Sequence, residues 1–180
     1  MIWQHPPQGR VRAAALLAGW LLCACNPALD WRELSWPAGG FSVLLPGRPD
    51  EAQRDLMVGA TALHMHLLTV HAQGQIYAVG HADLPANLGA QARTQLLVDA
   101  QAGLARNVQA DAGPLPAPPA AAPMAGLDCR DFSLTGHASE HPVEVFGRVC
   151  TSNQRFYELL VVGAGAAEDR LLFLGSFRML

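Results

Sequence analysis

Apolar and polar positions alternate through much of this chain, and Gly and Pro cut the alternation at short intervals. Phe41–Leu45 is a short apolar run stopped by Pro46-Gly47 and Pro49, which predicts a strand, and Ala52–Val58 predicts a second. Thr61–Ala72 and Gln75–Ala82 flank Gln73-Gly74 and predict a β-hairpin with a two-residue loop. Leu127–Leu134 and Val143–Thr151 predict another hairpin, and Arg155–Val162 a further strand. Between the hairpins the period changes. Leu88, Ala92, Leu96, Ala100, Leu104 and Val108 recur every four residues within Ala86–Val108, as one helical face laid on a sheet. Ala166–Phe177 predicts a short terminal helix with Leu171, Phe173, Leu174 and Phe177 on its apolar side. Gly113–Pro123 fits neither a helix interior nor a central strand, because Pro lacks the N–H and fixes φ; it reads as an extended surface loop or a stiff proline-recognition ligand. Short turns join antiparallel neighbours. The class is therefore α+β, a mostly antiparallel sheet of about seven strands packed by one long helix and a short C-terminal helix, in one domain over 41–180.

The amino-terminal segment follows a different pattern. Met1–Arg12 holds Arg10 and Arg12 and no acid, and Ala13–Ala24 is uninterruptedly apolar. That is the layout of a secretory signal, and the run is shorter than the ~20 residues a bilayer span requires. Leu22-Cys23-Ala24-Cys25 resembles a bacterial lipobox, with small Ala24 before the acylated Cys25; bulky Leu22 makes Cys23 the worse anchor. Residues 1–24 are expected to be a lipoprotein signal and 25–40 a lipidated tether in which Trp31 and Trp36 flank a charged stretch. By the same resemblance, Asn26 implies the outer membrane, with the domain facing the periplasm. An ordinary signal peptide, with Cys25 paired elsewhere, is the alternative.

Charge narrows the partners. All twelve basic residues are Arg, and fifteen acids leave the chain mildly acidic, with no basic patch; a nucleic-acid partner is not expected, since phosphate neutralisation dominates that affinity. The expected partners are the membrane, through lipid on Cys25, and an envelope protein.

Cys129 and Cys150 fall in the two arms of the second hairpin. Pairing them puts the turn centre between Ser139 and Glu140, sets Asp131 against Arg148, and gathers Phe132, Leu134, Val145 and Val149 on the other face. In an oxidising compartment this predicts a structural disulfide, against two unpaired thiols as the alternative.

Several stretches imitate catalytic motifs. His137-Ala-Ser-Glu-His141 matches the H-x-x-E-H pattern, which needs a helix, but it lies between two strands and ends at Pro142. Val162-Gly-Ala-Gly-Ala-Ala-Glu168 lacks the third Gly of a dinucleotide loop and is followed by only twelve residues. No nucleophile elbow occurs, and no Lys exists to complete a phosphate loop. No enzyme activity and no cofactor are therefore expected. His64 and His66 share a strand face, and a two-residue loop at Gln73-Gly74 would bring His66 opposite His81 and His64 opposite Asp83. These four are candidate metal ligands, and a register slip of one residue would disperse them.

The order of elements resembles uncharacterised bacterial envelope lipoproteins with a PsbP-like α/β/α sandwich. The resemblance rests on Gly40-Phe-Ser-Val-Leu-Leu-Pro-Gly-Arg-Pro49, Ile76-Tyr-Ala-Val-Gly-His-Ala-Asp-Leu-Pro85, Arg155-Phe-Tyr-Glu-Leu-Leu-Val-Val162 and Gly175-Ser-Phe177. It implies an antiparallel sheet covered by helices, used as a non-catalytic binding or assembly module. It implies a packing role for His81, which stands where an aromatic residue is expected. The expected function is a lipid-anchored binding or assembly-support protein; the alternative is a metal-binding envelope protein using His64, His66, His81 and Asp83.

Overall fold

The computed structural model describes residues 29–110, 124 and 126–180. Nine strands and two helices follow in the order β1 (Arg32–Trp36), β2 (Phe41–Leu45), β3 (Asp50–Val58), β4 (Thr61–Ala72), β5 (Gln75–Asp83), α1 (Ala90–Asn107), β6 (Asp128–Ala138), β7 (His141–Thr151), β8 (Arg155–Val162), α2 (Ala167–Ser176) and β9 (Arg178–Met179). The class is α+β, and every strand pair is antiparallel.

The strands form two sheets, one of six in the order β3-β4-β5-β8-β7-β6 and one of three in the order β1-β2-β9. This corrects the expectation of about seven strands in one sheet, and β1 and β9 are the additional strands. Both owe their existence to β2. Arg32–Trp36, within the expected tether, pairs along its whole length with β2, and Leu34 and Trp36 pack against the core. The connecting turn is closed by Gly39 N–H to the Trp36 carbonyl at 3.1 Å and Gly40 N–H to the Pro37 carbonyl at 3.0 Å. Gly40 takes a left-handed φ of 69°, which glycine adopts without a Cβ penalty.

Three layers result. One face of the large sheet packs on α1 through Met65, Phe132 and Phe156 against Leu96, Leu97 and Ala100. The opposite face packs on the small sheet and α2 through Tyr77, Val79, Tyr157 and Leu159 against Phe41, Val43, Phe173 and Phe177. A strand covered on both sides carries apolar residues on both, as β5 and β8 do. Full burial of each such side chain contributes about 1.5–3 kcal/mol.

The second hairpin has the expected register, and the first takes the one that a two-residue loop at Gln73-Gly74 implies. Ala72 pairs with Gln75 and His66 with His81 in the first, while the second pairs Cys129 with Cys150, Asp131 with Arg148 and Ala138 with His141. The helices differ in detail. Leu88 N–H bonds to the Pro85 carbonyl at 2.9 Å, so a turn occupies the first expected residues and α1 starts at Ala90. Ala92 is exposed, and Leu97 joins Leu96 and Ala100 on the buried face instead. In α2, Phe173 and Leu174 are buried, but Leu171 is 46% exposed.

Candidate ligand-binding cleft

A cleft of about 260 Å³ opens between α1 and the β3–β4 side of the large sheet. Its inner surface is formed by buried Val58, Met65, Ala100 and Phe156, with Leu104 along the α1 wall. Met65 reaches this position by lying across β5 at Gly80, where a Cβ would come within 2.6 Å of the Met65 methyl carbon. Arg54 and Arg106 stand exposed among the lining residues, and Asp99 is half-buried.

Glu158 supplies the inner polar group. Side chains of β8 alternate between two covered faces, so Tyr157, Leu159 and Val161 enter one core while Phe156 and Leu160 enter the other. Glu158 shares the second face and is flanked in register by Gly80 on β5 and Val149 on β7. It is half-buried and keeps exposure through the cleft. No hydrogen bond among the described residues satisfies it. Burial pushes the carboxyl up to about 7 from 4.5, and the Arg54 guanidinium opposes the rise only in part. A carboxyl whose desolvation outweighs its charged neighbour destabilises the fold when ionised, and carboxyls perturbed in this way concentrate at functional sites.

The candidate metal ligands lie on the other face. His66 and His81 stack with ring centroids 5.1 Å apart at 11°, and His64 meets His66 edge-on at 5.2 Å. His81 is 7% exposed and packs against Phe41, and both its ring nitrogens lack a hydrogen-bond partner. Burial lowers its pKa, the neighbouring His66 and Arg155 lower it further, and Asp83 opposes them. Imidazole lone pairs lie in the ring plane, so stacked rings present faces to each other and do not converge on an ion. Exposed His64 bonds Asp55 through Nδ1 at 2.6 Å, and Asp83 accepts from Arg155 Nε at 3.1 Å. The structure thus brings the three histidines side by side but directs His64 and Asp83 elsewhere. Among the described residues no group of three or more His, Cys, Asp or Glu is disposed to hold a metal ion.

Cys129 and Cys150 are at disulfide distance across β6 and β7, their sulfurs 2.13 Å apart. His137 and His141 stand on opposite arms of the β6–β7 hairpin with Ser139 and Glu140 in its turn, so the H-x-x-E-H stretch is not helical. Gly163 and Gly165 lie in the turn between β8 and α2. Cys25, the signal segment 1–24 and the Pro-rich loop 113–123 lie outside the described residues. Among the described residues no helix is long and apolar enough to cross a membrane.

Glu158 was not among the residues singled out by the sequence. A trace of it was there, a lone acid inside the otherwise apolar stretch Phe-Tyr-Glu-Leu-Leu-Val-Val of a strand flanked by others. No family model matches the chain, and no curated protein matches it.

Proposed function

We propose that this chain is a lipid-anchored envelope protein whose domain binds a small molecule in the cleft beneath α1. The observation that carries the reading is Glu158, a carboxyl without a hydrogen bond among the described residues and offset only in part by Arg54, lining a cavity of about 260 Å³. Apolar walls around a few polar groups are the usual composition of a small-molecule site. The lining places no Ser, Thr, Cys, His or Tyr beside Glu158, so binding is the reading proposed. The apolar run Ala13–Ala24 and the lipobox-like Leu22–Cys25 support export and acylation at Cys25, with the outer membrane as destination and the periplasm as the compartment. The resemblance to PsbP-like envelope modules supports the same reading, because an antiparallel sheet between helical layers is the architecture those modules use. Assembly support for an envelope partner is the wider role such a binding domain would serve.

Native mass spectrometry of the protein extracted in mild detergent from its own membranes tests this. The expected mass starts at acylated Cys25, lacks two hydrogens for Cys129–Cys150, and includes a retained small molecule that Gly103→Leu, at the cleft wall, displaces. A mass retaining residues 1–24 without acylation overturns the anchor and the compartment. A retained molecule indifferent to Gly103→Leu overturns the cleft as its site.

A further inference from the structure

Charge in the cleft is sorted by depth. Arg54 and Arg106 are exposed, so their guanidinium groups remain hydrated and a ligand charge beside them is largely screened. Glu158 lies on the sheet side, near buried Met65 and Phe156, where the local dielectric is low and an opposite charge counts for most. The carboxylate makes no hydrogen bond among the described residues, and the counter-charge acting on it is that of exposed Arg54. The ligand group that meets it therefore sets most of the selectivity.

Chemical classes differ sharply at that position. A ligand anion at this depth meets a like charge, or binds only when Glu158 holds a proton. A neutral aliphatic group removes the remaining water and leaves the ionised carboxylate with only the screened charge of Arg54. An ammonium supplies the counter-charge and three N–H donors at once. Resting on the reading of the cleft as a ligand site, we infer that its occupant is a small amine-bearing amphiphile, its ammonium on Glu158 and its carbon chain along Met65, Leu104 and Phe156. Asp99 on the α1 wall adds a second favourable charge for the ammonium.

The charged groups around Glu158 are Arg54 from β3 and Asp99 and Arg106 from α1, while β4, β5 and β7 present Met65, Gly80 and Val149. Glu158, pushed up to about 7, changes charge between pH 5 and pH 8. Because the ammonium needs the ionised carboxylate, affinity falls about tenfold per pH unit below that value, roughly 100-fold from pH 8 to pH 5.

The test uses the full chain extracted from its membranes, reconstituted in phosphatidylcholine nanodiscs and labelled with 13C at the methionine methyls. Met57 and Met65 line the cleft, and Met179 on β9, across the large sheet, is the internal control. Hexylamine, hexanoate and hexanol are titrated separately. Hexylamine is expected to shift Met57 and Met65 saturably, about 100-fold more tightly at pH 8 than at pH 5, by the linkage above. Glu158→Gln should weaken it at least roughly tenfold at pH 8 and abolish the pH dependence. Gly103→Leu keeps the carboxylate and has room for its Cβ, whose nearest neighbour is an Arg106 nitrogen at 3.7 Å; it should exclude hexylamine. Hexanoate or hexanol binding as tightly as hexylamine at pH 8 overturns the amine assignment but leaves the cleft a ligand site. Hexylamine binding that survives Gly103→Leu also overturns it. If no probe of the three shifts Met57 or Met65, the cleft reading falls with it.

Discussion

Glu158→Gln keeps the shape of the side chain and removes its titration, which makes it the sharpest probe of the inner cleft. In the folded protein the carboxyl stands at about 7 rather than 4.5. Between those values the folded state binds more protons than the unfolded one, so stability falls as pH rises through the window. At about 1.4 kcal/mol per pH unit the full difference is about 3 kcal/mol. Water entering the cleft screens the ionised form, so a measured effect of about 1–3 kcal/mol is expected. At pH 8 the Gln variant should therefore be more stable than the parent by that amount, while at pH 4 the two should nearly coincide. For a domain of this size the pH 8 gain corresponds to a Tm higher by roughly 2–10 °C. Urea unfolding of both proteins from pH 4 to pH 8.5, followed by the fluorescence of Trp31 and Trp36, gives the comparison. His81 stacks on the other face of the sheet against Phe41 and His66 and titrates in both proteins, so its contribution is common to the two profiles. A difference that stays flat across the pH range would refute the desolvated carboxyl, whatever the absolute stabilities.

His81 has the opposite sign. Its pKa is lowered in the fold, so the unfolded chain binds more protons below 6.5, and stability is lost as pH falls through that value. His81→Phe should flatten the acid side of the stability profile, read from chemical unfolding at pH 5 and pH 7. Asp131→Ala should cost about 3–5 kcal/mol, because it leaves the Arg148 guanidinium, 3% exposed and held at 2.6 Å and 2.8 Å by the carboxylate, without its counter-charge. Replacing both by Leu and Met should cost less than half as much in the same unfolding assay. Reduction of Cys129–Cys150, whose separation is 21 residues, should lower stability by about 2–4 kcal/mol, seen as a shift in the urea midpoint with dithiothreitol.

Both hairpins were legible in the sequence, but only the second in its register. The register of the first stayed open until the structure showed a two-residue loop, with Gln73 at φ 49° and Gly74 at φ 73° supplying the left-handed turn. In the second, the cysteines, the Asp131–Arg148 pair and the apolar set on the far face agree on one alignment. The opposition of His66 and His81 follows from the first register. Their stacking does not follow, because ring rotation is set by the packing of His81 against Phe41 from the small sheet.

Strand β1 was hidden because Arg-Glu-Leu-Ser-Trp is too polar to stand out, and its pairing depends on β2 offering a free edge. Strand β9 is two residues long, and Leu180 N–H bonds the Gly40 carbonyl at 3.0 Å, a contact between distant parts of the chain. The candidate cleft was hidden for a related reason. Alternation along β8 determines that Glu158 opposes Tyr157, but both faces of that strand are apolar, so periodicity alone leaves open which layer each face meets. The sequence by itself determined seven of the strands, the register of the second hairpin, the cysteine pair and the Leu96–Ala100 part of the buried face of α1, since these depend on neighbours within a hairpin or a helical turn. Only the tertiary structure decided that α1 covers the Glu158 face, because layer placement is settled by packing between elements far apart in the chain.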